Sequence, residues 1–458
     1  MKDQYFVSAN PADGKEIARY KMHSKSQIIS AQNKAQKAYQ SWSLSNMKER
    51  SALLIRIAKE IRADIEKFAQ LATKEMGKPI AQSRAELEKC AKTMEFYAKE
   101  GPGFLADEIV KTDAKKSFVS YQPLGVVLAI MPWNFPYWQV FRAMAPIILS
   151  GNAMLLKHAS NVSGCALTIE KILKKANAPK DLFQTLLISS ADIAEVIASK
   201  EVSAVTFTGS TVAGRKVASI AAQNLKKQVL ELGGSDAYIV LEDADVDLAV
   251  QTCFDARFIN TGQSCVAAKR FIVVKKLRKE FEAKMLAKVQ KATFGIPTDE
   301  SNLIGPMARI DLRDELNQQV EKSIKAGAKL LCGGFIPEGN GTFYAPTLLT
   351  NVKKGMPAYD EELFGPVAAI IEAKDENDAI KIANDSEYGL GSAIFSKNKK
   401  HAESIARQLI QAGSCFVNTA VHSDPRLPFG GIKNSGYGRE LSSYALREFV
   451  NIKTVVVQ

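Results

Sequence analysis

Asn260-Thr261-Gly262-Gln263-Ser264-Cys265 and Glu231-Leu232-Gly233-Gly234 are the stretches on which this chain turns, with Cys265 34 positions after Glu231. A thiol nucleophile and a carboxylate base are two parts of a covalent route through a thioester. A third part lies upstream in Pro132-Trp133-Asn134-Phe135-Pro136, where the Asn134 side-chain amide can donate to a developing oxyanion. The other five cysteines (90, 165, 253, 332 and 415) are dispersed, with no CxxC pair and no His-rich partner segment. That pattern argues against a disulfide framework or a metal site.

At 458 residues, with 46% hydrophobic and 24% charged residues, the chain reads as an ordinary globular protein of two or three domains. The start, Met1-Lys2-Asp3-Gln4-Tyr5-Phe6, has no apolar run behind a basic segment. The greasiest stretch, 124–156, is broken by Pro132, Pro136, Arg142 and Pro146. A cytoplasmic enzyme without a membrane partner is the expectation. The net charge of +12 comes from scattered short groups such as Lys174-Lys175 and Lys399-Lys400, with no dense basic tail. Nucleic-acid binding is therefore not expected, although a basic surface attracts small anions.

Hydrophobic periodicity places helices over most of the first hundred residues, with one apolar series running from Leu54 to Ala72 and a break at Gly101-Pro102-Gly103. Short buried strands then alternate with helices: Val126–Met131, Ala153–Lys157, Thr185–Ile188, Ala204–Thr208 and Val229–Leu232. A second series follows at Tyr238–Leu241, Phe271–Val274, Val367–Ile371, Gly391–Phe395 and Ser414–Asn418. The alternation signals α/β architecture with doubly wound parallel sheets. Ile452–Val457 reads as a strand with no neighbour in sequence, expected to join another subunit's sheet.

The three motifs, in this order and with these flanks, resemble those of the aldehyde dehydrogenase superfamily over nearly the whole chain. The resemblance implies an NAD(P)-binding Rossmann-like domain (1–115 and 124–232) and a catalytic domain (233–425). It adds a small β oligomerisation element (116–123 and 436–458) in a homodimer or homotetramer. It makes Cys265 the nucleophile, assigns the oxyanion to Asn134 and the Cys265 N–H, and gives Glu231 the hydrolytic water. The presence of Glu231 favours water over coenzyme A as acyl acceptor.

For the cofactor, NAD or NADP, the junction Thr208-Gly209-Ser210 before a helix near Thr211 reads as an anion site or an ordinary tight turn. The resemblance assigns it the pyrophosphate. It gives Lys157 the adenosine ribose or a phosphate, Glu362 the nicotinamide ribose and Phe364 the nicotinamide end, with Trp133 and Gly233 nearby. Ser160 stands where strict NAD enzymes of the family tend to carry a glutamate, which leaves room for NADP.

Several stretches, among them Glu231–Leu241, look most like the shorter, Sad-like bacterial succinate semialdehyde dehydrogenases. A substrate carboxylate suits arginine, whose planar fork binds it through two bonds. Arg142 lies eight residues after Asn134, about two helical turns, which puts the two on the same helix face, and it matches the family's carboxylate-binding arginine. Longer relatives place a second arginine where this chain has Ile259; Arg426, with Ser423, is the candidate replacement, against an ordinary surface arginine. A broad or glutarate semialdehyde dehydrogenase is the alternative activity. A catalytically silent binding protein is the alternative class, although binding alone would require none of Asn134, Glu231, Cys265 and Glu362.

Overall fold

The computed structural model describes residues 4–458. Its first sheet has six strands in the order Gly436–Tyr437, Lys227–Glu231, Val202–Thr208, Val126–Met131, Ala153–His158 and Phe183–Thr185. All are parallel except the first pair. Val126–Met131 is an unbroken apolar run buried at every residue, as a central strand covered on both faces must be. The second sheet runs Lys329–Cys332, Thr347–Thr350, Val367–Ala373, Ala268–Val274, Asp236–Val240, Gly391–Phe395 and Ser414–Val417. Only its first pair is antiparallel. Two parallel sheets flanked by helices agree with the expected fold class.

The two sheets bring different ends to one seam. Pro132–Asn134, Gly209–Ser210 and Leu232–Gly233 leave the carboxyl ends of first-sheet strands, where doubly wound sheets bind ligands. Cys265 and Glu362 approach from the other side, each in a loop just before one of two paired neighbours, Ala268–Val274 and Val367–Ala373. Behind the seam, the buried Glu86 on helix Ile80–Phe104 accepts the N–H groups of Tyr137 and Trp138, each at 2.8 Å, and pairs with the buried Lys78. It thereby caps helix Trp138–Leu149 and holds the preceding Asn134 loop.

Several local expectations are corrected. The series from Leu54 to Ala72 is two helices, Met47–Ala63 and Ile65–Met76, which meet at Asp64. Helix Ile80–Phe104 continues through Pro102 in its last turn, and Gly101 packs directly on Leu149, where a Cβ would collide. A hairpin of Tyr5–Ala9 and Glu16–Lys21 precedes the first helix. The Thr185–Ile188 strand lies earlier, at Phe183–Thr185. The last strand, Val450–Val457, does not lack a partner within the chain: it pairs antiparallel with Lys116–Pro123 over all eight residues. Gly436–Tyr437, expected in the oligomerisation element, instead joins Lys227–Glu231 in the first sheet.

Candidate active site

Cys265 follows a turn in which Asn260 (φ 52°), Thr261 (φ 56°) and Gly262 (φ 72°) are all left-handed. Each such non-glycine residue costs roughly 1–3 kcal/mol, so its surroundings must hold it. The Asn260 side chain donates to Asn134 O at 2.7 Å and Gln263 O at 3.0 Å, and the Thr261 hydroxyl accepts the Gly305 N–H at 3.0 Å. The fully buried Arg257 gathers the carbonyls of Gly262, Leu363 and Gly365, which ties the cysteine turn to the Glu362 loop. Lys269, 1% exposed at its side chain, donates to Ser264 O at 2.8 Å and Cys265 O at 2.6 Å, and lies 3.3 Å from Glu362. Glu362 also accepts the Gly234 N–H at 3.0 Å.

Cys265, Asn134, Trp133, Gly209, Ser210, Gly233, Glu362 and Phe364 line one cleft of about 400 Å³. Asn134 Nδ2 donates to Gln263 O at 3.0 Å, which fixes the amide and leaves its second N–H for a ligand. The Cys265 N–H makes no hydrogen bond among the described residues. On the opposite wall, Ser210 caps helix Thr211–Gln223, and Thr211 and Val212 of its first turn face the cleft. Trp133 and Phe364 meet edge to face with centroids 5.8 Å apart. A helix N-terminus for a pyrophosphate, flat aromatic walls for a ring and a carboxylate for ribose hydroxyls fit a dinucleotide.

Burial pushes the Cys265 thiol up to about 12, while Lys269 and Arg142 pull the other way. At neutral pH the thiol holds its proton until something takes it. Glu231, 2% exposed, is held well above the usual carboxylate range by burial, and then by Glu440. Neither of its oxygens meets hydrogen-bond geometry, though the Gly431 N–H lends some stabilisation. An unsatisfied buried carboxylate of this kind is poised to take a proton.

Lys269 should therefore matter beyond its charge. Lys269→Met is expected to slow Cys265 alkylation at pH 8 severalfold and to cost roughly 2–4 kcal/mol, through carbonyls left without their charged donor. Iodoacetamide kinetics and thermal melting check both.

The substrate candidates are rearranged. Asn134 precedes helix Trp138–Leu149 rather than lying on it, so Asn134 and Arg142 do not share a helix face. Arg142 is 2% exposed and forms an ion pair with Glu440 at 2.5 Å, its guanidinium stacked 5.0 Å from the Phe429 ring. It is not a free fork awaiting a carboxylate. Arg426 is a surface arginine folded back on Asp424, with its side chain 76% exposed. Ser423 accepts a 2.6 Å hydrogen bond from Lys89. Lys157 is half-buried at the end of its strand and Ser160 exposed just beyond; neither is on the wall around Cys265.

Sequence reading missed Gln139, Tyr388 and Leu312, Leu316 and Gln319 of helix Ile310–Lys325, all on the cleft wall. Nothing marks them locally. Arg257 and Lys269 carried a weak signal, as charged residues within eight positions of Cys265 in largely apolar segments. Among the described residues no group of His, Cys, Asp and Glu is arranged to hold a metal, and no helix is long and apolar enough to cross a membrane.

The aldehyde dehydrogenase family profile matches residues 1–455. The NAD(P)+ succinate semialdehyde dehydrogenase Sad of Escherichia coli (strain K12) is 46% identical over 449 residues, covering 98% of this chain and 97% of that protein. A probable NADP(+) succinate-semialdehyde dehydrogenase of Synechocystis is also 46% identical, with 98% and 99% covered. The crystal structure of succinic semialdehyde dehydrogenase from Streptococcus pyogenes, in complex with NADP+, superposes with a TM-score of 0.96 at 36% identity, covering 99% of each chain. Agreement of this extent in sequence and in three dimensions has one meaning: the chain belongs to the aldehyde dehydrogenase family.

Proposed function

We propose that this aldehyde dehydrogenase oxidises succinate semialdehyde to succinate with NAD or NADP, through a thioester on Cys265 that is hydrolysed by water activated by Glu231. The observation that carries the chemistry is the placement of Cys265 and the spare Asn134 N–H on one dinucleotide-sized cleft, with the raised Glu231 carboxylate in electrostatic reach of the thiol. The substrate rests on the named relatives at 46% identity.

In the reaction, Cys265 Sγ bonds to the aldehyde carbon as its proton passes to solvent water. The new oxyanion is held by the Asn134 amide and the Cys265 N–H, each such donor being worth roughly 2.7–4 kcal/mol of barrier. A bound dinucleotide would supply the hydride acceptor; Trp133, Gly209, Ser210, Gly233, Glu362 and Phe364 would hold it, with Lys157 and Ser160 toward its adenosine. Glu231 then takes a proton from water, whose oxygen bonds to the acyl carbon; the C–S bond breaks and the leaving sulfur takes that proton from Glu231, which restores the thiol. The exposed Ser160 hydroxyl puts no carboxylate against a 2′-phosphate, which favours NADP use. The outer edge of Val450–Val457, with Ile452 57% and Val456 55% exposed, suits self-association into a homodimer or homotetramer.

Initial rates of NADH and NADPH formation with succinate semialdehyde beside butyraldehyde test the substrate. We expect kcat/KM to favour the semialdehyde by at least about tenfold, since a desolvated charge pair is worth more than 1.4 kcal/mol. Equal handling of both would leave an aldehyde dehydrogenase of broad or glutarate semialdehyde specificity.

A further inference from the structure

We infer that Lys89, together with the Ser423 hydroxyl, receives the carboxylate of the substrate; the inference rests on the semialdehyde reading above. Lys89 lies on helix Ile80–Phe104, which packs against helix Trp138–Leu149. Its ammonium stands 4.2 Å from the centre of the Trp138 ring and donates to Ser423 Oγ at 2.6 Å. Trp138 also faces the Arg142 guanidinium, 5.9 Å from the ring centre, and Arg142 acts electrostatically on both Lys89 and the Cys265 thiol. Ser423 belongs to the loop that runs into Phe429, the ring beneath Arg142. Lys89, Trp138, Arg142 and Ser423 thus form one connected group, and the charge of its Arg142 reaches the Cys265 thiol.

Lys89 is a cation without an anion. No carboxylate lies within 4.0 Å of it among the described residues, and the two carboxylates that influence it most are already committed. Glu86 is taken up by Lys78 and the N–H groups of Tyr137 and Trp138, and Asp424 by the side chain and N–H of Arg426. Burial, and then Arg142, pull Lys89 down to about 8, the mark of an ammonium that has lost water and gained no counter-charge. Lys89 and Ser423 are both half-buried, so a solute can still reach them. A carboxylate arriving there would find a charge and a hydroxyl in a dry, aromatic setting, where an ion pair is strongest. An uncharged aldehyde gains nothing from the same contact. Lys89 therefore fills the place expected of Arg426, from a helix more than 300 residues earlier in the sequence.

The test is the ratio of kcat/KM for succinate semialdehyde to that for butyraldehyde in wild type, Lys89→Met, Lys89→Gln and Lys89→Arg, with a melting temperature for each. We expect the ratio to fall at least tenfold in Met and Gln, mainly through KM for the semialdehyde, and to recover to within about threefold of wild type in Arg. A ratio unchanged in Met and Gln would overturn the role of Lys89 while leaving the semialdehyde reading intact, and a lowered melting temperature beside it would mark a structural lysine. A wild-type ratio near one would overturn both.

Discussion

Glu231→Gln should convert this enzyme into one that releases a single equivalent of reduced cofactor per active site and then turns over about 10²–10⁴-fold more slowly. The range is that of a lost general base. Glutamine keeps the shape of the buried side chain and cannot accept a proton, so hydrolysis stalls, while acylation of Cys265, whose proton leaves to solvent, proceeds. Rapid-quench burst kinetics and intact mass read the stalled acyl-enzyme directly. Failure to see a burst, with the slow step moved to acylation, would remove Glu231 from the hydrolytic role.

The pH dependence has a definite sign. Burial and Glu440 raise the folded-state pKa of Glu231, so its basic form grows in as pH rises, and hydrolysis should climb through the neutral range instead of levelling off near pH 5. Glu231→Gln should flatten that climb. Linkage gives a second readout. A carboxylate raised on folding contributes its full stability below the unfolded pKa, about 4.3, and loses it as pH rises through the folded value. The glutamine variant should therefore melt higher than wild type at pH 8, with the difference shrinking as pH falls.

Cys265→Ala is expected to lower kcat/KM at least about 10⁴-fold, the scale of losing a covalent nucleophile. Because the side chain is only half-buried and small, the melting temperature should hardly move. The thiol pKa of about 12 adds a signature: alkylation of the free enzyme by iodoacetamide should accelerate with pH across the alkaline range with no plateau near pH 8.5. A plateau at the ordinary thiol value would mean that burial does not control Cys265.

Much of this was legible locally. Strands such as Val126–Met131 and Gly391–Phe395 stand where their apolar runs put them, because a strand buried on both faces has to be continuous in hydrophobicity. The loops around Asn134, Cys265 and Glu362 were visible because turns into a cleft require particular residue types at fixed spacing. Periodicity ran past the break at Asp64 and stopped too early at Gly101-Pro102-Gly103, since tertiary packing overrode local propensity there.

What sequence by itself determined was the fold class and the chemistry-bearing motifs, since hydrophobic period and short motifs are properties of neighbouring residues. What only tertiary structure decided was the partner of each charge. Arg142 goes to Glu440, almost 300 residues away, Arg426 to its near neighbour Asp424, and Lys89 to Ser423. A buried charge is governed by what lies within a few ångströms of it, and chain spacing does not encode that distance.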